Sequence, residues 1–517
     1  MGRGLVTARA RWLLALSSVG IVAVIARVIG TVLAPQALYF PDSWCYVITR
    51  AVRPCPAHEP AINGFWRIFT LGSLTEAHVL WAQAILGVAT ALLLTWCLLR
   101  LCRWWLAMLA GMVFAILPLQ IWLERSMLTE TVETFFLALF LATACSAIRA
   151  RRPAPILAWT AIAAASLGCA AAVHTAALLP VVTLVTALIV LVLWKSAAAV
   201  SSRLLRYAAL PALCIVSLVA PTIPTLVTYH RWYSMWTTDP AQASFLVTRW
   251  SPIVDCTPPP GAMGRTHHVL AVVCEQRTFL SPPGWNQDLL WRPPLGHWAL
   301  ALRSITPGEF AATQSQLLGA VERGIVAHPQ AFLSQMWASI VFQMTATPVN
   351  DLRDFHDPTA KLPRSGPLVD SIRFPNRSSW FTLADETPHP HIDSSLRTLV
   401  AGTTQVPQLL LWTAMLIALL RAIFWALAEF RRRSEGVERP RLGRAPPSDR
   451  VSIAVLGSLL VVTSLLSVAF GTYPVFRYWS PLVPAILVLV ALAIPPAATW
   501  PAPVTRTVEV PATVDAD

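Results

Sequence analysis

Long apolar runs, separated by short polar clusters, set the pattern of this chain. Ten runs approach the length that crosses a bilayer as helix: residues 12–34, 79–99, 104–121, 131–148, 155–172, 176–194, 207–227, 404–428, 451–470 and 479–496. The split of 155–194 into two spans rests on a turn at His174. Between 317 and 344, "LLGAVERGIVAHPQAFLSQMWASIVFQM" repeats apolar residues at three- and four-residue spacing. That spacing predicts a helix lying on the membrane surface, interrupted at Pro329. No internal repeat is visible, so the inverted-repeat signature of many transporters is missing.

Charge orients the ladder. With the N-terminus inside, the cytoplasmic connections are Arg100–Arg103, "RARRP" at 149–153, "WKSAAAVSSRLLR" at 194–206 and "EFRRRSEGVERPRLGRAPPSDR" at 429–450. All are basic, as the positive-inside rule requires. The first segment, "MGRGLVTARARWLLALSSVGIVAVIARVIGTVLA", starts basic like a signal peptide. Its apolar part is too long and its cleavage site unconvincing, so it reads as an uncleaved helix. Both termini are then cytoplasmic. The regions become an N-terminal transmembrane module (1–228) with an outer loop at 35–78, an extracytoplasmic region (229–403), C-terminal helices (404–496) and a disordered tail (497–517).

Composition agrees. The chain has 517 residues, 56% hydrophobic and 13% charged, where a soluble protein carries roughly 25% charged residues. The expected fold class is an all-α polytopic membrane protein of about ten transmembrane helices, with surface helices in the first outer loop and a large extracytoplasmic loop. The net charge of +13 would suggest nucleic acid in a soluble protein. Here the arginines flank apolar spans and no aromatic–basic platform appears, so no nucleic-acid partner is expected. The short inner loops and the lack of a large inner domain fit a bacterial plasma membrane.

Nine cysteines divide by location. Five fall in or beside spans. Cys45 and Cys55 share the first outer segment, and Cys256 and Cys274 share the second. Two even pairs on the oxidising side suggest two local disulfides, with free thiols the alternative. No spacing points to structural zinc.

The chemistry-bearing residues lie at the outer face. "FPDSWCYV" at 40–47 puts Asp42 just beyond the first span. Its carboxylate either caps a helix or faces a cavity at the membrane surface, where partial burial makes it a better base. Arg477 stands at the outer end of the last span, where an arginine needs a partner or a ligand unless it snorkels to the interface. Tyr478 beside it is either a hydrogen-bonding group or a belt aromatic. Glu124, Arg125 and Glu130 fall between the third and fourth spans. They form either a functional polar stretch or an internal ion pair with acids at a helix N-terminus. His58 and Glu59 are candidate acceptor or metal ligands, but two residues do not make a metal site. No cofactor is expected, and a divalent metal stays open. No Gly-rich phosphate loop, DxD-bearing soluble domain or GxSxG elbow is present. Twenty-two tryptophans serve as belt or core residues, or stack on sugar rings.

The chain resembles the GT-C membrane glycosyltransferases, in particular the protein mannosyltransferases and aminoarabinose transferases that take sugars from polyprenyl phosphate. The resemblance rests on "FPDSWCYV" after the first span, "HEPAINGFWRIFTLGS" at 58–73, "WLERSMLTETVETFF" at 122–136, "AHPQAFLSQ" at 327–335 and "FRYWSPLVPAILVLV" at 476–490. Glu59 stands where the family has a first proline, and His174 where relatives often carry an arginine. The resemblance implies an inverting transfer from a polyprenyl-phosphate sugar to a hydroxyl of an envelope glycan, lipid or protein, on the extracytoplasmic face. Asp42 would be the general base. Arg477, Tyr478, Arg125 and His174 would hold the donor phosphate. Tyr46, His58, Glu59, Glu124 and Glu130 would bind substrate or support the site. The alternative is a transporter or flippase of a lipid-linked envelope precursor, which calls for charged or helix-breaking residues near mid-span.

Overall fold

Prolines and apolar face width decide where the helices begin and end. The structure is a computed structural model. It describes residues 2–33, 61–72, 76–126, 128–174, 178–196, 208–262, 264–280, 306–345, 447–471 and 481–494, with scattered positions in 283–289 and 416–431. Its regular elements are helical, and no strand occurs among the described residues.

Eight helices and a joined pair form the main bundle: α1 (Gly2–Leu33), α2 (Ala61–Phe69), α3 (Glu76–Leu99), α4 (Trp104–Ile116), α5 (Pro118–Glu124), α6 (Glu130–Arg149), α7 (Pro153–Val173), α8 (Leu178–Ser196), and α9 (Leu210–Val219) running through a 3-10 turn into α10 (Ile223–Tyr233). After α10 come α11 (Gln242–Arg249), α12 (Gly264–Glu275), α13 (Pro307–Ala327) and α14 (Pro329–Thr345). The bundle is completed by α15 (Pro447–Gly471) and α16 (Val483–Ala493).

Six helices are long and apolar enough to cross a membrane, and α4 with α5 makes a bent seventh. Two of the expected spans give shorter apolar stretches, Leu179–Leu193 and Val483–Ala493. The expected span 404–428 lies mostly outside the described residues. Apolar side chains on the bundle exterior, among them Leu13, Ile21, Val24, Ile25, Val28 and Ile29 of α1, are exposed. A soluble protein rarely shows so continuous an apolar surface, whereas in lipid it is the solvated face. The chain is a membrane protein by these helices.

The expected span 104–121 is broken. Leu117 is extended (φ −64°, ψ 112°), because the residue before a proline is pushed out of the helical region. Pro118 then opens α5, and the two halves meet at 52°. The expected turn at His174 is present: α7 stops at Val173, and His174 is extended with φ −155°.

The described residues between α10 and α14 hold more order than the proline-rich sequence suggests. A second core joins Tyr229, Tyr233, Leu246, Trp250, Val269, Phe310 and Leu317. α13 begins ahead of the expected pattern because Thr306 and Glu309 form a reciprocal capping box, which satisfies orphan N–H groups of the first turn. That same bonding holds the Glu309 carboxyl below its usual range. Gly324 lets α13 approach the Ile253 carbonyl, where a Cβ would come within 2.2 Å. As expected, the helical pattern stops before Pro329. Cys256 and Cys274 are joined as a disulfide, Cα atoms 6.0 Å apart. Cys45 and Cys55 lie outside the described residues. Asp255 accepts from Arg323 Nε at 2.6 Å and from the Thr257 N–H at 2.9 Å, which holds its carboxyl below the usual range.

The Cys256–Cys274 bridge closes a segment with a sequence separation of 18, so its loss should cost about 3 kcal/mol of local stability. Limited proteolysis of Cys256→Ser/Cys274→Ser should show faster cleavage between α11 and α13 than in wild type. Unchanged protection would mean that the second core alone holds this region.

Candidate functional site

Polar side chains collect at one end of an otherwise apolar bundle, and the break at Pro118 explains how. Interrupting the helix leaves the Ala115 carbonyl without its usual helical partner. Arg27, in the last third of the apolar stretch of α1, supplies one: its Nη1 donates to Ala115 O. The same guanidinium grips Glu124 at the end of α5, with Nε donating to Oε2 at 2.9 Å and Nη2 to Oε1 at 2.6 Å. Arg27 is 4% exposed and Glu124 is 1% exposed. One side chain therefore ties α1 to both halves of the broken span. Gly87 of α3 makes room for the pair, since a Cβ there would lie 2.0 Å from Glu124 Oε1.

The chain after α5 is fixed in turn. Gln83 Nε2 of α3 donates to Ser126 O at 3.1 Å, and the Ser126 hydroxyl donates to Trp122 O. Arg125 is buried, with Nη1 3.5 Å from Thr31 Oγ1 of α1. Glu130 and Glu133 occupy the first turn of α6, where the helix dipole favours acids, and both are buried. His174, at the end of α7, bonds through Nδ1 to Glu133 Oε2 at 2.9 Å. α2 lies against α3 and α7, and its Phe65 and Phe69 pack edge-on against Phe136 and Phe135 of α6.

The opposite end of the bundle is basic. Arg100, after α3, donates to Ser146 Oγ at 2.9 Å, and Arg149 of α6 donates to the Arg100 carbonyl at 2.6 Å. Arg450 of α15 donates to carbonyls at the end of α16. Burial lowers the pKa of the Arg100 guanidinium from its ordinary value. The cysteine Cys102 sits here too, its thiol pushed up to about 12 by burial. Its Sγ donates to the Leu98 carbonyl at 3.2 Å, and a thiol raised in this way is a weak nucleophile.

Four expected site residues thus share one end: Glu124, Arg125, Glu130 and His174. Two expectations are refined. The internal ion pair of Glu124 is made with Arg27 of α1, which binds both carboxylate oxygens. His174 is held by Glu133, which suits a satisfied turn histidine and fixes the ring for any further contact. Asp42, Tyr46, His58, Glu59, Arg477 and Tyr478 lie outside the described residues. Arg27 and Glu133 were missed from sequence. The signal for Arg27 was present, as a lone charge inside "VIARVIG" needs a partner in lipid. Glu133 falls three residues after Glu130 and reads as one more first-turn acid.

Among the described residues no group of three or more His, Cys, Asp or Glu side chains could hold a metal ion. Comparison with protein-family models, curated proteins and solved structures finds no match.

Removing one partner of the buried pair should be far more harmful than removing both. Arg27→Met should cost about 3–5 kcal/mol by leaving Glu124 uncompensated. Arg27→Met/Glu124→Leu should recover most of that loss, seen as a rise in unfolding temperature in detergent. A double variant no more stable than the single would show that the Ala115 contact matters more than the ion pair.

Proposed function

We propose that the chain is an inverting membrane glycosyltransferase that moves a sugar from a polyprenyl-phosphate donor to a hydroxyl of an envelope glycan, lipid or protein. The observation that carries this reading is the gathering of Arg27, Glu124, Arg125, Glu130, Glu133 and His174 at the end of the bundle where α1 finishes. The FPDSWCYV stretch follows α1 directly in sequence. Its resemblance to the first-loop motif of GT-C transferases supplies the chemistry.

In this reading the acceptor oxygen attacks the anomeric carbon and forms the new C–O bond. The bond from that carbon to the phosphate oxygen breaks, and polyprenyl phosphate leaves with the electron pair. Asp42 takes the hydroxyl proton. A single displacement inverts the sugar carbon. The donor's tail stays in lipid, so the reacting carbon is held near the interface, and a base just past the first span is at the right height. Cationic groups must meet the leaving phosphate. Arg477 suits this by its forked geometry, with Tyr478, Arg125 and the Glu133-oriented His174 as supporting groups. Tyr46, His58 and Glu59 would line the acceptor side. The reaction would take place on the extracytoplasmic face of the plasma membrane, opposite the arginine-rich end.

Support against the transporter alternative comes from where the buried charge lies. Arg27 is the charged residue buried within the α1 span, and it is tied to Glu124 near the polar end of the bundle rather than left for a mid-membrane path.

The test is turnover by purified protein in nanodiscs, with a panel of polyprenyl-phosphate sugars and envelope extract as acceptor. Wild type should release polyprenyl phosphate. Asp42→Asn, folded to the same unfolding temperature, should be slower by roughly 100-fold or more, the usual worth of a general base. Equal rates would confine Asp42 to helix capping. No release from any donor would count against the transferase and send the protein to a lipid-flipping assay.

A further inference from the structure

A second buried guanidinium is treated differently from Arg27. Arg249, the last residue of α11, is 2% exposed. Its Nη2 donates to Ser339 Oγ of α14 at 2.6 Å and to Ala469 O near the end of α15 at 2.7 Å. Its Nε and Nη1 are enclosed and meet no acceptor. No carboxylate pairs with it among the described residues. Burial pushes it down to about 10, so it keeps its charge at neutral pH. The last turn of α15 offers the negative end of a helix dipole, which offsets about half a charge. The Trp250 ring centroid, 5.3 Å from Cζ, adds a weak cation–π contact, and no full negative charge among the described residues balances the rest, in a place where unpaired charge is costly.

The surroundings repeat the deficit. Gln343 lies one turn beyond Ser339 on the same face of α14, buried, and its Nε2 also lacks an acceptor. Both groups are donors, so the missing partner is an acceptor, and the charge makes it an anion. The indole of Trp250, which donates to Phe470 O at 3.1 Å, fixes α11 on the end of α15 and leaves the guanidinium no freedom to swing to water.

The position selects among anions. Ala469 and Phe470 end an apolar helix long enough to span the membrane, and this is the level of lipid headgroups. The opposite face of α14 exposes Leu333, Trp337 and Val341 at four-residue spacing, an apolar stripe that lies in an interface. Ala469 and Phe470 also lead in sequence toward Arg477 and Tyr478.

We propose that Arg249 and Gln343 form an anion site that holds the phosphate of a membrane lipid, polyprenyl phosphate in the reaction proposed above, with Ser339, whose hydroxyl donates to the Gln335 carbonyl, positioning the guanidinium. The identity of the lipid rests on the transferase reading. The anion site rests on the buried donors. Nε and Nη1 are out of contact with solvent, so their cover must move to admit the ligand.

The experiment is binding to the full-length protein in nanodiscs, with farnesyl phosphate, inorganic phosphate and farnesol as separate probes and no sugar donor present. Farnesyl phosphate should raise the unfolding temperature of wild type, while equal concentrations of inorganic phosphate or farnesol should not. Arg249→Gln should weaken farnesyl phosphate binding at least tenfold, and Arg249→Lys should weaken it less. If Arg249→Gln fails to fold, Gln343→Leu provides the reading, with a weakening of about threefold expected from loss of one hydrogen bond. Equal affinity in wild type and the folded variants, or no binding by wild type, overturns the site. A response to inorganic phosphate equal to that of the lipid overturns the lipid assignment. Arg249-dependent binding in a protein that transfers no sugar leaves the site standing and removes only the transferase.

Discussion

The contact between Arg27 and Glu124 holds the polar end of this protein together. A proline at 118 breaks a membrane helix and frees a carbonyl in an apolar setting, where an unmet polar group is expensive. Arg27 meets that carbonyl and, with the rest of its guanidinium, a carboxylate on the far side of the break. The bend therefore persists without an orphaned group. It delivers Glu124, Arg125 and Ser126 into the space beside α1 and α3. Gly87 is the steric condition for this, because any side chain at that position would occupy the carboxylate's place.

Once that end is fixed, the remaining polar groups follow from connectivity. α1 and α7 finish there, α6 begins there, and each contributes what a helix end favours: acids in a first turn, a histidine at a C-terminus. The basic residues collect at the other end, around Arg100, Arg149 and Arg450. The asymmetry gives the bundle two chemically different ends. On the proposed reading the acidic and mixed end faces the lipid-linked donor, and the arginine-rich end, which also holds the buried Asp449, faces the cytoplasm. Arg249 extends the same logic to the unit built on α15, where a buried cation waits for an anion instead of carrying its own.

Much of the helix pattern was legible in the sequence because lipid imposes it: apolar length and arginine-rich turns are strong signals. The breaks at His174 and Pro329 were also readable. The break at Pro118 was not anticipated, since the apolar run continues through "FAILPLQIW" and hydropathy does not register a missing N–H. The second core around Trp250 was obscured for a related reason. Its helices are short and separated by prolines, and its packing joins Tyr229 to Phe310, too far apart in sequence for periodicity to reveal. At the candidate site, individual polar residues could be picked out, but their pairing could not. Glu124 stands beside Arg125 in sequence, yet the helix turns Glu124 toward α1, and the partner is 97 residues away.

The central claim is that a lipid phosphate is handled at the Glu124 end of the bundle. Photocrosslinking in nanodiscs tests it most directly, using a polyprenyl phosphate with a diazirine on the isoprene unit next to the phosphate and mapping the labelled peptides. The expected result is label on peptides containing Thr31, Arg125, His174 or Arg249, competed away by unlabelled polyprenyl phosphate. Competed label confined to the Arg100, Arg149 and Arg450 peptides would contradict it.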